Sequence, residues 1–461
     1  MKQELAILLN LSIAIACGLL SLNVRAEQVI SLEQAIAIAQ QNDPWQHGNK
    51  LKQTALEERS IASGSLPDPQ ISLGLANLPT DTWNFNQEGM TQFKVGISQM
   101  FPRGDSLEIK QDRLKTASTK FPLLREDRRA KIKQSVSELW FDAYLAQQTI
   151  RLIEKDRGLF EQMADVVKAS YSNVVGKIRQ QDVIRAQLEI VQLDDRLTAE
   201  KQKFESAIAR LNEWLVIYNS DDLNQTYDFD RQTSAFSVSE QLPHVKLTTP
   251  ALVEANNYSR NALANELLAH PAILAIDVEQ EVADKGISLT KQQYKPQWGV
   301  NASYGYRDNM QSGEGRADLF SVGVTFDLPL FTENKQDKEV AASIAESEAV
   351  KTEKLLLVKK MLSAIDKELQ QLKRLSQRQS IYNDLLLKQT HDQAEAALTA
   401  YTNDDGDFAE VVRSRIAELN AKISSLQIEV DTLKAITRIN YFLTQSTGNN
   451  HVGRNHQFGE E

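Results

Sequence analysis

Residues 320–328 read Phe320-Ser321-Val322-Gly323-Val324-Thr325-Phe326-Asp327-Leu328. Large apolar side chains alternate with small or polar ones, without a break. Period two is the signature of a β-strand whose two faces meet different surroundings. Three other runs share it. Trp298, Val300, Ala302, Tyr304 and Tyr306 alternate with Gly299, Asn301, Ser303 and Gly305. Ile71, Leu73 and Leu75 alternate with Ser72, Gly74 and Ala76, and Phe93, Val95 and Ile97 alternate with Lys94, Gly96 and Ser98. The runs are roughly nine to eleven residues long, the length of a strand that crosses a bilayer at a tilt. A soluble sheet resting on a core would also alternate. Two features favour the membrane. The second face is rich in Gly, Ser, Asn and Thr, as in a water-filled lumen. The aromatics Trp298, Tyr304, Tyr306 and Phe320 suit a membrane–water interface.

The strand pairs belong to a duplicated chain. Pro44 matches Pro271, Pro69-Gln70 matches Pro296-Gln297, and Phe93, Val95 and Gly96 match Phe320, Val322 and Gly323. Pro102 matches Pro329, and every pair is separated by 227 positions (271 − 44, 329 − 102). Such a period is too long for a solenoid. Each half has the same order: a short helix, two strands, two long helices. The first short helix opens at Ser31 with Glu33 and Gln34 close behind, a capping start; its counterpart is expected over 249–268.

Long helices follow from the lack of breakers. No proline occurs over 123–242 or 330–461. The expected helices are 105–170, kinked at Pro122, then 179–215, 333–400 and 408–443. Val183, Ala186, Ile190, Leu193, Leu197, Phe204, Ala207, Leu211 and Trp214 keep near-heptad spacing, as do Ile416, Leu419, Ile423, Leu426, Val430 and Leu433. That spacing is a coiled-coil seam. Reversals are expected at Ser172-Asn173-Val174-Val175-Gly176 and at Thr402-Asn403-Asp404-Asp405-Gly406-Asp407, whose Asn, Asp and Gly suit turns.

The expected organisation is therefore a leader over 1–26, a first repeat over 27–225 with strands 69–79 and 92–101, and a linker over 226–248. A second repeat over 249–445 holds strands 297–306 and 318–328, and a tail spans 446–461. The leader has Lys2, an apolar stretch from Leu5 to Leu22, and small residues before Glu27. Ala14-Ile15-Ala16-Cys17-Gly18 is a lipobox lacking its Leu, so lipidation of Cys17 competes with cleavage after Ala26.

Composition narrows the function classes. With 52 basic and 62 acidic side chains the net charge is −10, which argues against a nucleic-acid partner. The lone cysteine excludes a disulfide framework or thiolate zinc site. The six histidines, His47, His244, His270, His391, His451 and His456, form no ligand motif at helical spacing, and no phosphate-binding glycine loop is present. No nucleophile sits with a base, so neither enzyme activity nor a cofactor is expected. A chain with four membrane strands cannot close a barrel, and an open edge cannot face lipid, so copies must associate.

With these features in place, the chain resembles the TolC family of outer-membrane efflux and secretion channels. The residues that carry the resemblance are the duplicated halves, Asn42-Asp43-Pro44, the strand pairs ending at Pro102 and Pro329, and the segment Tyr171 to Gln187. It implies a mainly α fold with β: a homotrimer with a twelve-stranded outer-membrane β-barrel continued by a periplasmic α-helical barrel. It also implies outer-membrane lipid, a periplasmic adaptor and an inner-membrane pump as partners, and a gate at the inner hairpin tip. The carboxylates Asp404, Asp405, Asp407 and Glu410, with Arg413 and Arg415 nearby, are the gate candidates; a plain polar turn is the competing account. Adaptor contact is expected at Val175, Gly176, Asp182, Gly406 and Val411. The segment Gly96-Ile97-Ser98-Gln99-Met100-Phe101-Pro102-Arg103-Gly104-Asp105 is similar to the branch that serves heavy-metal pumps of the resistance–nodulation–division class. Drug efflux and type I secretion are alternatives, and a periplasmic coiled-coil adaptor is a more remote one.

Overall fold

The structure is a computed structural model that describes residues 28–172, 180–215, 236–249, 259–403 and 405–446. The leader with Cys17, the first hairpin tip with Val175 and Gly176, Asp404, and the tail with His451 and His456 lie outside the described residues. The chain divides into two compact units. One comprises the chain up to Pro44, Lys131–Thr248 and Lys367–Tyr441; the other comprises Trp45–Ala130, Thr249–Asp366 and the chain from Phe442 on.

In chain order the elements are β1 (Gln28–Ile30), α1 (Leu32–Gln41), α2 (Pro44–Ser63), β2 (Gln70–Ala76) and β3 (Gln92–Phe101). Then come α3 (Ser106–Ser118), α4 (Lys120–Ser172), α5 (Gln180–Leu215), β4 (Phe236–Val238), α6 (Arg260–Leu268) and α7 (Pro271–Lys291). The last of the described elements are β5 (Trp298–Tyr306), β6 (Leu319–Phe326), α8 (Gln336–Ile381), α9 (Leu387–Thr402) and α10 (Phe408–Phe442). The duplication is visible in these bounds: β3 starts at Gln92 and β6 at Leu319 (319 − 92 = 227), and α2 and α7 start at the matching prolines.

The unit with β1 is helical. Its seam is the heptad pattern made solid. Phe204, Ala207, Leu211 and Trp214 of α5 meet Ile132, Val136, Trp140, Phe141 and Tyr144 of α4 and Leu426, Val430 and Leu433 of α10. Toward the hairpin tip, Val183, Ala186, Ile190, Leu193 and Leu197 pack with Ile153, Phe160 and Val167 of α4 and with Phe408, Val412, Ile416, Leu419 and Ile423 of α10. The α1 helix opens with the full capping box, Ser31 and Gln34 bonding reciprocally.

The structure corrects four expectations. The linker over 226–248 contains β4, which pairs in parallel with β1, Gln28 opposite Phe236 and Ile30 opposite Val238. Trp140 anchors that pair: its indole N–H donates to the Ile30 carbonyl at 3.1 Å, and its ring stacks on Tyr144. The helix expected over 105–170 breaks at Thr119, not at Pro122. Pro122 sits in the first turn of α4, where the missing N–H costs nothing, and the bond it cannot make is the one that would have joined α3 to α4. The helix expected over 333–400 is interrupted by a π-turn at Tyr382–Leu386. The second short helix begins at Arg260, and Thr249 lies outside it.

In the second unit His270 accepts a hydrogen bond from the Ala272 N–H, with Pro271 at the first helical position of α7. That histidine is a cap. The rest of the unit is α2, α3, α6, the flanking parts of α4 and α8, and a four-stranded antiparallel sheet ordered β2-β3-β5-β6.

Candidate functional site

The sheet sorts its side chains by face without exception across its middle. Ile71 stands opposite Ile97, Leu73 opposite Val95 and Leu75 opposite Phe93. Val95 meets Tyr304, Ile97 meets Ala302 and Phe101 meets Trp298. Trp298 meets Phe326, Val300 meets Val324, Ala302 meets Val322 and Tyr304 meets Phe320. In a pleated sheet directly paired residues point to the same side. One apolar face therefore runs over all four strands. It is exposed: Val322 is 64% accessible, and Ile71, Leu73, Tyr304 and Phe320 are also exposed. Aromatic rows bound it, Phe101, Trp298 and Phe326 at one margin, Phe93, Tyr306, Tyr304 and Phe320 at the other. The opposite face holds Gln70, Ser72, Gly96, Ser98, Asn301, Ser303, Ser321 and Thr325.

A soluble domain would cover so large an apolar face. Among the described residues no element covers this one, and the outer edges of β2 and β6 have no strand partner there. Alternation through the order β2-β3-β5-β6 makes β2 and β6 antiparallel to each other. The β6 edge of one copy can thus continue into the β2 edge of the next without breaking the pattern or mixing the faces.

The margin beside Phe101 is held by ion pairs. Arg103 pairs with Asp327 and donates to the Lys295 carbonyl, and Lys295 pairs with Asp105 at 2.8 Å. Gly104 has φ +46, and a Cβ there would meet the Lys295 and Gln292 side chains, so glycine suits both the turn and the close approach. At the other margin Arg307 and Arg316 donate to the carbonyls of Gly89 and Glu88, tying the 307–318 loop to the 77–91 loop.

The inner hairpin tip lies in the helical unit. After α9 the Asn403 N–H donates to the Thr399 carbonyl and the Asp405 N–H to the Ala400 carbonyl. Gly406 passes so close that a Cβ would lie 2.6 Å from the Tyr401 backbone nitrogen. Asp407 caps α10: its side chain accepts from the Ala409 N–H at 3.2 Å and its carbonyl from Glu410. A carboxylate is doubly favoured there, by the free N–H groups and by the helix dipole. Glu410 pairs with Arg413, which is 73% exposed. Asp405, Gly406 and Asp407 are exposed. Of the expected adaptor contacts, Val411 is fully buried and Asp182 is buried in the first turn of α5. Neither side chain therefore offers surface in the single chain.

Above the tip is a cluster that the sequence reading missed. Glu418 of α10 has a 5% exposed side chain and receives bonds from Lys422 at 2.7 Å, Arg415 at 2.9 Å and His391 of α9 at 2.9 Å. Arg415 also pairs with Glu395 of α9 at 2.7 Å. Burial pushes the Glu418 carboxyl up, but the bonds from Lys422, His391 and Arg415 outweigh it and hold it at about 2. Burial raises the Asp156 carboxyl on α4, with the Glu418 charge adding to the rise. The Arg415, Glu418 and Lys422 spacing along one helix was readable; the partners on α9 were not.

No family model matches the chain, and no curated protein does. Solved structures do. The outer-membrane channel OprN aligns with TM-score 0.70 at 13% identity, over 90% of this chain and 90% of its own. CusC, described in terms of folding and transmembrane channel formation, aligns with TM-score 0.68 at 14% identity, over 92% of this chain and 96% of its own. The Campylobacter jejuni CmeC outer membrane channel aligns with TM-score 0.68 at 12% identity, over 89% and 85%. The alignments run over about nine-tenths of the chain, and the chain has the fold of these outer-membrane channels.

Proposed function

We propose that the chain is the outer-membrane exit channel of a tripartite efflux system, conducting solute passively from periplasm to exterior. The observation that carries this is the sheet: one continuous exposed apolar face between aromatic rows, one polar face, and two free edges of matching polarity. Three copies joined edge to edge give twelve strands, enough to enclose a water-filled lumen. The apolar face then meets outer-membrane lipid and the helical unit stands in the periplasm. Exposed Ile184, Leu188 and Val191 on α5 recur at helical spacing and give the helical units a surface for association.

A channel of this kind has no energy source of its own, so a periplasmic adaptor and an inner-membrane resistance–nodulation–division pump complete the system. Metal ions as cargo rest on the segment from Gly96 to Asp105 alone. The inner tip is the periplasmic gate: threefold symmetry brings Asp404, Asp405, Asp407 and Glu410 around the axis, with Arg413 as a local partner of Glu410. Gly406 and the exposed carboxylates beside it, together with Val175 and Gly176 of the first tip, meet the adaptor.

Single-channel recording in planar bilayers tests both parts. Discrete pores are expected from the wild type. The triple variant D404N/D405N/D407N is expected to lose cation preference and block by multivalent cations, with Asn at 407 keeping the cap. Pores with unchanged cation preference would remove the gate assignment and leave the channel.

A further inference from the structure

The four strands of the sheet contain no Asp, Glu, Arg or His, and one lysine, Lys94. It lies on the polar face, between Gln92 and Gly96 along its strand. Its register partners are glycines on both sides, Gly74 on β2 and Gly305 on β5. No side chain on either neighbouring strand stands beside it at its own level. The Lys94 ammonium has no ion pair or hydrogen bond among the described residues. Charges at the sheet's margins are treated differently: Arg103 pairs with Asp327, Lys295 with Asp105, and Asp318 accepts from Tyr304 and from the Arg307 N–H. The charges that flank the strands are neutralised, and the one cation within them is left without a charged partner; Gln92, on the same face, fills the space over Gly305 beside it.

We infer that Lys94, repeated in each copy of the closed barrel, forms a cationic ring in the lumen that favours anionic solutes over free cations. This rests on the channel reading above and adds a selectivity element within the barrel. Rings of lysine or arginine are the arrangement that anion pores use, and lumen-facing positions are where a barrel's selectivity is tuned. The loops beyond the strands do carry Asp81, Glu88, Asp308, Glu314 and Asp318 against Arg307 and Arg316. Those carboxylates lie outside the strands, and Arg307 and Arg316 offset part of their charge. The ring surrounds the path itself, so every solute passes it.

The effect is modest in a wide pore. With ammonium groups about 10 Å from the axis, three screened charges change the anion-to-cation permeability ratio about threefold at physiological salt. The cargo this favours is an anionic or neutral solute, and it counts against free metal cations.

Reversal potentials in a potassium chloride gradient test it, for wild type, Lys94→Gln and Lys94→Glu. Each is also measured on the D404N/D405N/D407N background, so that tip carboxylates do not mask the barrel. The chloride-to-potassium permeability ratio is expected to fall about threefold in Lys94→Gln and about tenfold in Lys94→Glu, more steeply at low salt. Should Lys94→Glu not assemble, the neutral variant decides. Equal ratios in conducting variants overturn the ring and spare the channel. A wild-type protein that opens no pore overturns the channel reading, and the ring falls with it.

Discussion

Val322→Lys separates a lipid-facing sheet from a water-facing one. Val322 lies between the aromatic rows, in the line Ile71, Ile97, Ala302, Val322 that crosses all four strands. It is 64% exposed in the single chain and packs into no core. If that face met water, a lysine there would change stability by no more than about 0.5 kcal/mol in either direction. If it meets hydrocarbon, a lysine near the midplane costs about 2–4 kcal/mol. The middle of that range is a factor of roughly a hundred in the folded-to-unfolded ratio, incurred once in every copy. Ser321→Lys is the internal control, one residue away on the polar face and also exposed; its expected cost is below about 1 kcal/mol. The assay is urea unfolding of protein folded into lipid vesicles, followed by tryptophan fluorescence. Equal midpoints for the two variants, or a cost near zero for Val322→Lys, would refute the assignment of faces.

Other substitutions probe the helical unit and its tip. Glu418→Gln is expected to cost about 1–3 kcal/mol, because Lys422, Arg415 and His391 lose a charged acceptor whose side chain is 5% exposed. The Glu418 carboxyl is held at about 2 against an ordinary 4.5. Its contribution is therefore complete above pH 4.5 and lost as pH falls toward 2; the Gln variant should lack that part of the acid limb in a pH series of melting temperatures. Trp140→Phe removes the bond to the Ile30 carbonyl, which keeps a second donor in the Ser239 N–H, so about 0.5–1.5 kcal/mol is expected by chemical denaturation. Gly406→Ala drives a Cβ against the Tyr401 and Ala400 backbone and should cost about 1–3 kcal/mol, with local protection from hydrogen exchange lost over the end of α9.

The readable parts of this fold were those whose periodic pattern runs over many residues. Four runs of alternation placed the strand faces, because a register slip of one residue would have turned every side chain over. Heptad spacing placed the seam, and Val183 to Trp214 and Ile416 to Leu433 all pack in it. Short or geometric features were not readable. The strands β1 and β4 have three residues each, too few to show a period, and they pair across the whole first repeat. The break at Thr119 fell three residues before Pro122 because a proline disturbs the turn preceding it. At the tip the acidic residues stood out, yet composition could not say that Asp407 caps α10 or that Val411 turns inward. The Glu418 cluster joins two helices through His391, and only the packing brings those positions together.

The central claim is that sheets of several copies close edge to edge into one membrane barrel. Its most direct test is the native mass of the particle extracted from the outer-membrane fraction in detergent, after subtraction of bound detergent. The account predicts a protein mass of three chains, stable to dilution. A protein that leaves the membrane without detergent and runs as a single chain would contradict it, and the exposed apolar face of the sheet would need another cover.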